Sequence, residues 1–150
     1  MTTPADGAPE LDRLVCFDLY AASRAVTAAY RPILGRLGLT YPQYLVVMVA
    51  GARGEVTIKG LADALHLDHA TLTPLLRRLE QHGLLTRSRS AQDERVVLVR
   101  LTEKGEAVRA EFGDVQCRIE DAFGPMLEQA AQLQTLLRDL VGQLVPSRAG

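Results

Sequence analysis

The order of polar and apolar residues between positions 57 and 104 constrains the fold of this chain more than any other feature. Residues 57–67 space their apolar side chains at the intervals of an amphipathic helix, and a polar break follows at Asp68 and His69. A second helical pattern continues to Gly83, a residue type that readily takes the left-handed conformation found at helix ends. This succession predicts two helices joined by a short turn.

Two strand-like runs follow directly. They span residues 84–89 and 95–101, and the turn-forming residues 90–94 separate them. Residues 102–104 then start another helix. Helix, turn, helix and a two-stranded wing in this order predict a winged helix-turn-helix over residues 57–104, a unit that binds double-stranded DNA.

Helical patterns flank this unit on both sides. Residues 9–36 have the periodicity of one long helix, and Thr40 with Pro42 predicts a capped start for a shorter helix that continues to Ala50. Thr102 is expected to cap a further helix that runs to about residue 123. Gly124 and Pro125 then interrupt the pattern before a last helix to about residue 145.

The predicted fold class is therefore mainly α with a small β-wing. We expect a single domain over residues 1–150, with the DNA-binding region at 57–104. Residues 9–36 and 103–145 are expected to be dimerisation helices, because long helices of this kind complete their core with a second subunit.

The charge distribution agrees with a DNA-binding unit, although the net charge of −1 argues against a non-specific nucleic-acid binder. Residues 57–104 hold eight Lys/Arg against six Asp/Glu, whereas residues 105–150 hold four against seven. Six arginines fall on the second helix and the wing, where phosphates would lie: Arg77, Arg78, Arg87, Arg89, Arg95 and Arg100. An ordinary solvated surface would look the same, so charge alone leaves both interpretations open.

Other kinds of site are not indicated. The longest apolar run, residues 44–50, is too short to span a membrane, and the acidic start lacks the features of a secretory leader. The two cysteines and three histidines do not have zinc-binding spacing. We expect a cytoplasmic protein with no cofactor, no metal and no membrane partner.

A line of hydroxyl groups and one thiol runs along the first predicted helix. At about 100° per residue, five side chains fall within about 40° of one another. They are Cys16, Tyr20, Ser23, Thr27 and Tyr30. Hydroxyl groups that donate hydrogen bonds to a thiolate stabilise its charge, and the thiolate is the reactive form of cysteine.

The spacing limits which of these groups can meet. Tyr20 is one turn from Cys16 and can touch it within the same helix. Tyr30 is fourteen residues beyond Cys16, roughly 21 Å along the helix axis, and cannot. A contact between Tyr30 and Cys16 would therefore require an antiparallel pair of first helices from two subunits. From these residues alone, a small buried apolar role for Cys16 in a dimer core is the more common one.

The chain resembles the MarR family of regulators, and within it the organic-hydroperoxide sensors of the OhrR type. Residues 14–47 are similar to that group's first helix and turn, with the peroxide-sensing cysteine at Cys16 and the supporting tyrosines at Tyr20, Tyr30 and Tyr41. On this resemblance, Cys16 is a redox-active thiol and not a core residue.

The resemblance extends to the predicted DNA-binding unit. Residues 67–105 are similar to the group's recognition helix and wing, including the broader family's Asp-x-Arg at Asp93 and Arg95. The likeness covers roughly residues 11–123. The group usually has Ser-Gly where this chain has His69 and Ala70, so its base preference is expected to differ.

Two rules disagree about where the recognition helix begins. Thr73 followed by Pro74 looks like an N-cap with proline at the first helical position. A proline at position 74 inside the helix would remove the hydrogen bond to the carbonyl of residue 70. The family implies a start at Asp68, and we adopt that start.

The resemblance implies that a homodimer binds a pseudo-palindromic operator in double-stranded DNA. The recognition helix would contact base edges and phosphates, and the wing would reach the minor groove. The residues assigned to DNA are Asp68, His69, Thr71, Thr73, Arg77, Arg78, Asp93 and Arg95. For Asp93 and Arg95, a surface ion pair that stabilises the turn is the alternative.

The resemblance also implies an organic hydroperoxide as inducer. The peroxide would oxidise the Cys16 thiolate to sulfenic acid, and the lost hydrogen bonds to the tyrosines would let the helices shift and release DNA. The protein would then be a redox-sensing repressor and not an enzyme. Cys117 is either a resolving thiol for oxidised Cys16 or a buried structural thiol, and both roles stay open.

The sequence leaves two other functions open. One is a MarR-type repressor that binds a small aromatic ligand, with the tyrosines lining the pocket and Cys16 inert. The other is an enzyme, a thiol peroxidase that uses Cys16. Against the enzyme, the stripe of Cys16 has no Arg or Glu that could polarise a peroxide.

Overall fold

The computed structural model describes residues 10–146 and contains seven α-helices and three short strands within that range. Short 3-10 segments at Leu11–Arg13 and Gly124–Gln129 accompany them. The elements in chain order are α1 (Val15–Gly35), α2 (Tyr41–Arg53), β1 (Glu55–Thr57), α3 (Ile58–Leu65), α4 (His69–Gln81), β2 (Leu85–Arg89), β3 (Val97–Leu101), α5 (Glu103–Arg109), α6 (Phe112–Phe123) and α7 (Ala130–Leu144). The predicted mainly α fold with a small β-wing is confirmed.

Helix α1 begins later than its periodicity predicts. The apolar pattern extends back to residue 9, which lies outside the described residues, but the α-helix starts only at Val15. Leu14 is extended, with φ −101° and ψ 102°, so it separates α1 from the preceding 3-10 turn. Periodicity cannot detect this break, because the apolar spacing continues through it.

The start of α2 follows from its own residues, as predicted. Thr40 Oγ1 accepts a hydrogen bond from the Gln43 amide at 3.4 Å, and Gln43 Oε1 accepts one from the Thr40 amide at 3.0 Å. This reciprocal pair is a capping box, with Pro42 in the first turn. The helix continues past the predicted end at Ala50 to Arg53.

The wing contains three strands, so the two-stranded prediction was incomplete. The strand order is β1-β3-β2, and β1 pairs antiparallel with β3 between Glu55–Thr57 and residues 98–100. A strand of three residues has too little alternation to stand out in the sequence. Strand β3 starts at Val97, two residues later than the predicted run 95–101. A turn precedes it, closed by a hydrogen bond from the Ser90 amide to the Val96 carbonyl.

Recognition helix α4 starts where the family implies, and the local prediction at Thr73 is wrong. Asp68 Oδ1 accepts a hydrogen bond from the Thr71 amide at 2.7 Å, which makes Asp68 the N-cap. Thr73 Oγ1 instead donates to the His69 carbonyl at 2.7 Å, and Pro74 lies inside the helix. At the other end Gly83 adopts φ +73°, the left-handed conformation that was predicted there.

The helix predicted from Thr102 to residue 123 is divided in two. Thr102 Oγ1 accepts a hydrogen bond from the Gly105 amide at 3.0 Å, so the predicted N-cap is confirmed. Helix α5 nevertheless ends at Arg109, and α6 begins at Phe112. The intervening Ala110 and Glu111 are good helix formers, so their own propensities do not indicate the break.

The chain forms two compact units that divide after Val115. In the first unit α2 packs against α1, α3, α4, α5 and β3, which makes it the centre of the core. The largest fully buried side chains of this unit are Leu34, Val46, Val47, Leu61, Leu72, Leu76, Leu79, Leu85, Val99 and Val115. Within residues 10–146, no helix is both long and apolar enough to cross a membrane.

Candidate functional site

Helix α4 has one buried and one exposed face. Leu72, Leu76 and Leu79 are buried completely and attach the helix to the core. Of the residues assigned to DNA on this helix, Thr73 is half-buried. The others are exposed, and they are His69, Thr71, Arg77 and Arg78. Neither arginine forms an ion pair within residues 10–146, so both charges are available to a partner. Asp68 precedes them as the cap of the helix.

The tip of the wing presents Arg95 to solvent. The Arg95 side chain is 91% exposed, and Asp93 Oδ1 accepts hydrogen bonds from both its backbone amide, at 3.0 Å, and its Nε, at 3.2 Å. The aspartate therefore orients the arginine through two bonds. The terminal nitrogens of this guanidinium have no partner among residues 10–146, which leaves them available to an anion.

Of the six arginines that were expected to lie near phosphates, three bond to carboxylate or carbonyl groups of the chain itself. The expectation that all six serve DNA is therefore corrected. Arg87 donates to Glu80 Oε2 through Nε at 2.9 Å and Nη2 at 2.7 Å, which ties β2 to α4. Arg100 pairs with Glu55 at 2.7 Å across β3 and β1. Arg89 Nη1 donates to a backbone carbonyl of the wing turn at 2.8 Å.

The C-terminal end of α4 is tied to the start of α5. Thr102 Oγ1 donates to the Gly83 carbonyl, and Lys104 Nζ donates to the His82 carbonyl at 2.8 Å. The Thr102 amide donates to the Leu84 carbonyl at 3.0 Å. A Cβ atom at Gly105 would overlap the same Leu84 carbonyl oxygen, so only glycine permits this approach. These contacts join α4, the wing and α5 at one point.

The thiol stripe on α1 is exposed in the single chain. Cys16 is exposed, and the Tyr20 side chain one turn away is 58% exposed. Tyr20 Oη accepts a hydrogen bond from Arg24 Nη1 at 3.2 Å, and the guanidinium carbon lies 5.5 Å from the centre of the ring. Thr27 Oγ1 donates to the Ser23 carbonyl at 2.9 Å and is not directed to the thiol.

These contacts change two points of the sequence analysis. No residue among 10–146 donates a hydrogen bond to Cys16, so the single chain contains no hydrogen bond from Tyr20 to the thiol. Arg24 also contacts the stripe through Tyr20, although no arginine is a member of the stripe itself. The spacing of four residues between Tyr20 and Arg24 was the signal that could have indicated this pair.

Four aromatic rings pack together where α1, α2 and the start of α6 meet. We call Tyr30, Tyr41, Tyr44 and Phe112 the aromatic cluster. The ring centres of Tyr30 and Tyr41 are 4.6 Å apart, and those of Tyr30 and Tyr44 are 5.5 Å apart. Tyr44 lies 6.1 Å from Tyr41 and 4.5 Å from Phe112. The structure therefore brings together the predicted Tyr30 and Tyr41, and it adds two residues that the sequence analysis did not single out.

The phenol groups of the aromatic cluster hold their protons strongly. Burial raises the pKa of Tyr30 to about 12, and the neighbouring Tyr44 and Tyr41 add to the shift. Burial also raises the pKa of Tyr41, and burial together with Tyr41 raises that of Tyr44. All three hydroxyls are neutral near pH 7 and can donate hydrogen bonds.

Cys16 and the aromatic cluster do not meet within one chain. Cys16 lies in the first turn of α1 and Tyr30 near its C-terminal end, fourteen residues and roughly 21 Å away along the axis. Cys117 lies on α6, where it is exposed and free, so the single chain does not bury it. Cys16 and the tyrosines of one chain therefore lie at two separate places.

Apolar side chains remain exposed in both units, and surfaces of this kind mark interfaces. In the first unit they cluster at and before the start of α1: Leu11, Leu14, Val15 and Phe17. In the second unit they lie around α7: Met126, Leu127, Leu133, Leu136, Leu137, Val141, Leu144 and Val145.

Residues 28–112 match a family model described as transcriptional regulator SarA/Rot. Over 135 residues the chain is 41% identical to the organic hydroperoxide resistance transcriptional regulator of Bacillus subtilis. That alignment covers 90% of this chain and 92% of the relative.

Two solved regulators share the fold. Reduced AbfR bound to DNA matches with a TM-score of 0.75 and 29% identity, covering 91% of this chain and 96% of that one; AbfR comes from Staphylococcus epidermidis. The repressor CouR on a DNA duplex matches with a TM-score of 0.81 and 25% identity, covering 92% and 99%. CouR, from Rhodococcus jostii, has also been solved with p-coumaroyl-CoA.

Proposed function

We propose that this chain, which belongs to the MarR-type winged helix-turn-helix transcriptional regulators, is a redox-sensing repressor. The same group includes the SarA/Rot and the organic hydroperoxide resistance regulators. In this proposal, an organic hydroperoxide oxidises Cys16 and the protein then releases its operator. The observation that carries the proposal is a pair of half-sites. One is the exposed thiol of Cys16 in the first turn of α1, and the other is the buried Tyr30 near the far end of that helix, packed against Tyr41 of α2.

The two half-sites become complete sites in a homodimer. If the α1 helices of two subunits run antiparallel, Cys16 of each subunit faces Tyr30 and Tyr41 of the other. The exposed apolar residues at the start of α1 support this arrangement, because a partner helix would remove them from water. A twofold dimer also fits a pseudo-palindromic operator.

The chemistry at Cys16 follows from these donors. Hydroxyl groups of Tyr20, Tyr30 and Tyr41 that donate to the sulfur favour the thiolate. The thiolate sulfur attacks the terminal oxygen of the hydroperoxide and the O–O bond breaks. Sulfur is oxidised by two electrons to sulfenic acid, and the peroxide leaves as an alkoxide that takes a proton to become an alcohol. The sulfenic acid carries no charge, so its hydrogen bonds to the tyrosines weaken and the dimer can rearrange.

The proposed DNA contacts rest on exposure and charge. In a dimer each α4 would enter a major groove with His69, Thr71 and Thr73 near base edges. Arg77 and Arg78 are unpaired and exposed, which suits phosphate contacts. Arg95, oriented by Asp93, suits the narrow minor groove beside the wing.

Cys117 is proposed as the resolving thiol for oxidised Cys16. Its exposure supports this role over that of a buried structural thiol, because a resolving thiol must reach the sulfenic acid. Attack by the Cys117 thiolate on the sulfenic sulfur would form the S–S bond, break the S–O bond and release hydroxide, which takes a proton from solvent to become water. A cross-linked dimer on a non-reducing gel after peroxide treatment, absent in Cys117→Ser, is the expected result.

A second candidate is a repressor that binds an aromatic ligand. It is favoured by the likeness to CouR, which has been solved with p-coumaroyl-CoA, and by the tyrosine-rich site. In this alternative, the tyrosines line the ligand pocket and Cys16 does not react. A thiol peroxidase is disfavoured because the matched relatives are transcriptional regulators.

One experiment separates these functions. Cys16→Ser should bind operator DNA like the wild type but remain bound after cumene hydroperoxide is added, because a serine hydroxyl is neither a thiolate nor oxidisable. Fluorescence anisotropy of a labelled operator measures release. If Cys16→Ser is released by peroxide like the wild type, or if salicylate-like compounds release both proteins without oxidant, the redox mechanism is wrong.

A further inference from the structure

Tyr44 is the most buried member of the aromatic cluster. It lies on α2, one turn after Tyr41, and is 2% exposed. Its ring contacts both Tyr30 and Tyr41, at 5.5 and 6.1 Å between centres. No other ring among residues 10–146 contacts both of these tyrosines.

Tyr44 also packs against Phe112. The two rings lie 4.5 Å apart at an interplanar angle of 55°, a tilted packing of the kind that aromatic pairs prefer. Phe112 is 8% exposed and is the first residue of α6, immediately after the break at Ala110 and Glu111. Tyr44 is thus held between the two sensing tyrosines and a third segment of the core.

We propose that Tyr44 is a positioning residue for the thiol sensor, which holds the hydroxyls of Tyr30 and Tyr41 where they can donate to Cys16 of the partner subunit. The inference rests on the proposed redox function and adds a residue to its machinery. Tyr44 does not touch the thiol in this role, and it acts only through its two neighbours.

The physical reason is that a hydrogen bond to a thiolate depends on the distance and direction of the donating hydroxyl from the sulfur. Tyr30 and Tyr41 approach each other across two helices, α1 and α2, and each ring can turn about its own side-chain bonds. The buried Tyr44 ring restricts both rings at once, because interiors are close-packed and leave little room for other rotamers. Removing that ring would leave a cavity into which Tyr30 or Tyr41 could turn, away from the sulfur.

The test is the rate at which Cys16 reacts with iodoacetamide as a function of pH, measured on the full-length protein. A Cys117→Ser background ensures that only Cys16 reacts. Tyr44→Leu should shift the midpoint of the pH–rate profile upward and slow the reaction at pH 7 by roughly three- to tenfold, because the thiolate loses well-placed donors. Tyr44→Phe keeps the ring and should retain most of the wild-type rate.

A matched control separates positioning from loss of stability. Val99→Ala removes a fully buried side chain from β3, outside the aromatic cluster, and should lower the free energy of unfolding without moving the pH–rate profile. If Tyr44→Leu does not fold, Phe112→Leu tests the same support and should move the midpoint in the same direction. A wild-type profile for Tyr44→Leu, or for Phe112→Leu in its place, overturns the inference.

The outcome for Tyr44 is distinguishable from failure of the redox function itself. If Cys16→Ser stays on the operator under peroxide but Tyr44→Leu has wild-type thiol kinetics, only the positioning role is wrong. If Cys16→Ser is released by peroxide like the wild type, the redox function fails, and with it the positioning role for which Tyr44 is proposed.

Discussion

At the scale of single residues, the environment of Tyr30 has a consequence for stability. Its pKa is raised to about 12 by burial, with Tyr44 and Tyr41 as further causes, whereas an exposed tyrosine titrates at 10.0. The folded protein therefore keeps this proton at a pH where the unfolded chain loses it. The contribution of the buried neutral ring is complete below pH 10 and is lost as the pH rises through about 12.

We expect the free energy of unfolding to fall between about pH 10 and 12, and Tyr30→Phe to reduce that fall by roughly 2 kcal/mol. Urea unfolding followed by circular dichroism at a series of pH values measures it. Val99→Ala is the control, since it removes a fully buried side chain that does not titrate and should lower stability without changing the alkaline slope. An identical alkaline slope in wild type and Tyr30→Phe would contradict the burial argument.

Arg95 and Arg100 provide a matched pair on the wing. Arg95 is almost fully exposed and held by Asp93, whereas Arg100 is paired with Glu55 across the sheet. Arg95→Ala should weaken operator binding by about 1–3 kcal/mol, because it removes the minor-groove contact proposed for this residue. Arg100→Ala should cost less, and anisotropy titrations at one salt concentration compare the two. Equal losses would mean that charge alone, and not the placement of Arg95, matters.

At the scale of elements, the junction between α4 and α5 links the helix that is proposed to enter the major groove to the helices that follow. Thr102 and Lys104 bond to carbonyls just beyond α4, and Gly105 lies against the Leu84 carbonyl. Since the approach leaves no room for a side chain, the two helices are held in one relative position. A displacement of α5 would therefore be transmitted to the recognition helix.

Gly105→Ala should force α5 away from residue 84 and destabilise the protein by roughly 2–4 kcal/mol, as overpacking against backbone allows little relaxation. Thermal unfolding measures the loss. Gly113→Ala is the control, because a Cβ at Gly113 would meet nothing within 4 Å, and it should be neutral or slightly stabilising. A Gly105→Ala protein as stable as the wild type would show that the junction is not tightly packed.

At the scale of the whole molecule, the proposed mechanism requires a dimer. The apolar residues that α7 exposes are numerous, and a partner would remove them from water. We expect a dimer at micromolar concentration by sedimentation analysis. Leu136→Glu, at a position 67% exposed in the single chain, should shift the protein toward monomer because it places a charge in an apolar interface.

Gln134→Glu introduces the same charge at a polar position of α7 and should leave the dimer intact. If the wild-type protein is a monomer under these conditions, Cys16 cannot reach Tyr30 of a partner. The proposed redox function would then lose its structural basis.

The sequence alone determined the features that depend on neighbours three or four residues away. Thr40 and Thr102 cap the helices that they were expected to begin, and Gly83 ends α4 in the left-handed conformation. Each cap is a hydrogen bond within one turn, so its chemistry is readable locally. The apolar spacing over 57–104 identified the winged helix-turn-helix for the same reason.

The tertiary structure alone decided which distant residues meet. β1 exists because residues 98–100 lie beside it, and Arg87 and Arg100 are engaged because Glu80 and Glu55 reach them. Tyr44 contacts Tyr30 of another helix and Phe112, 68 positions later, only because α1, α2 and the start of α6 pack together. Such contacts depend on how helices and strands pack, and no periodicity within a single segment encodes that packing.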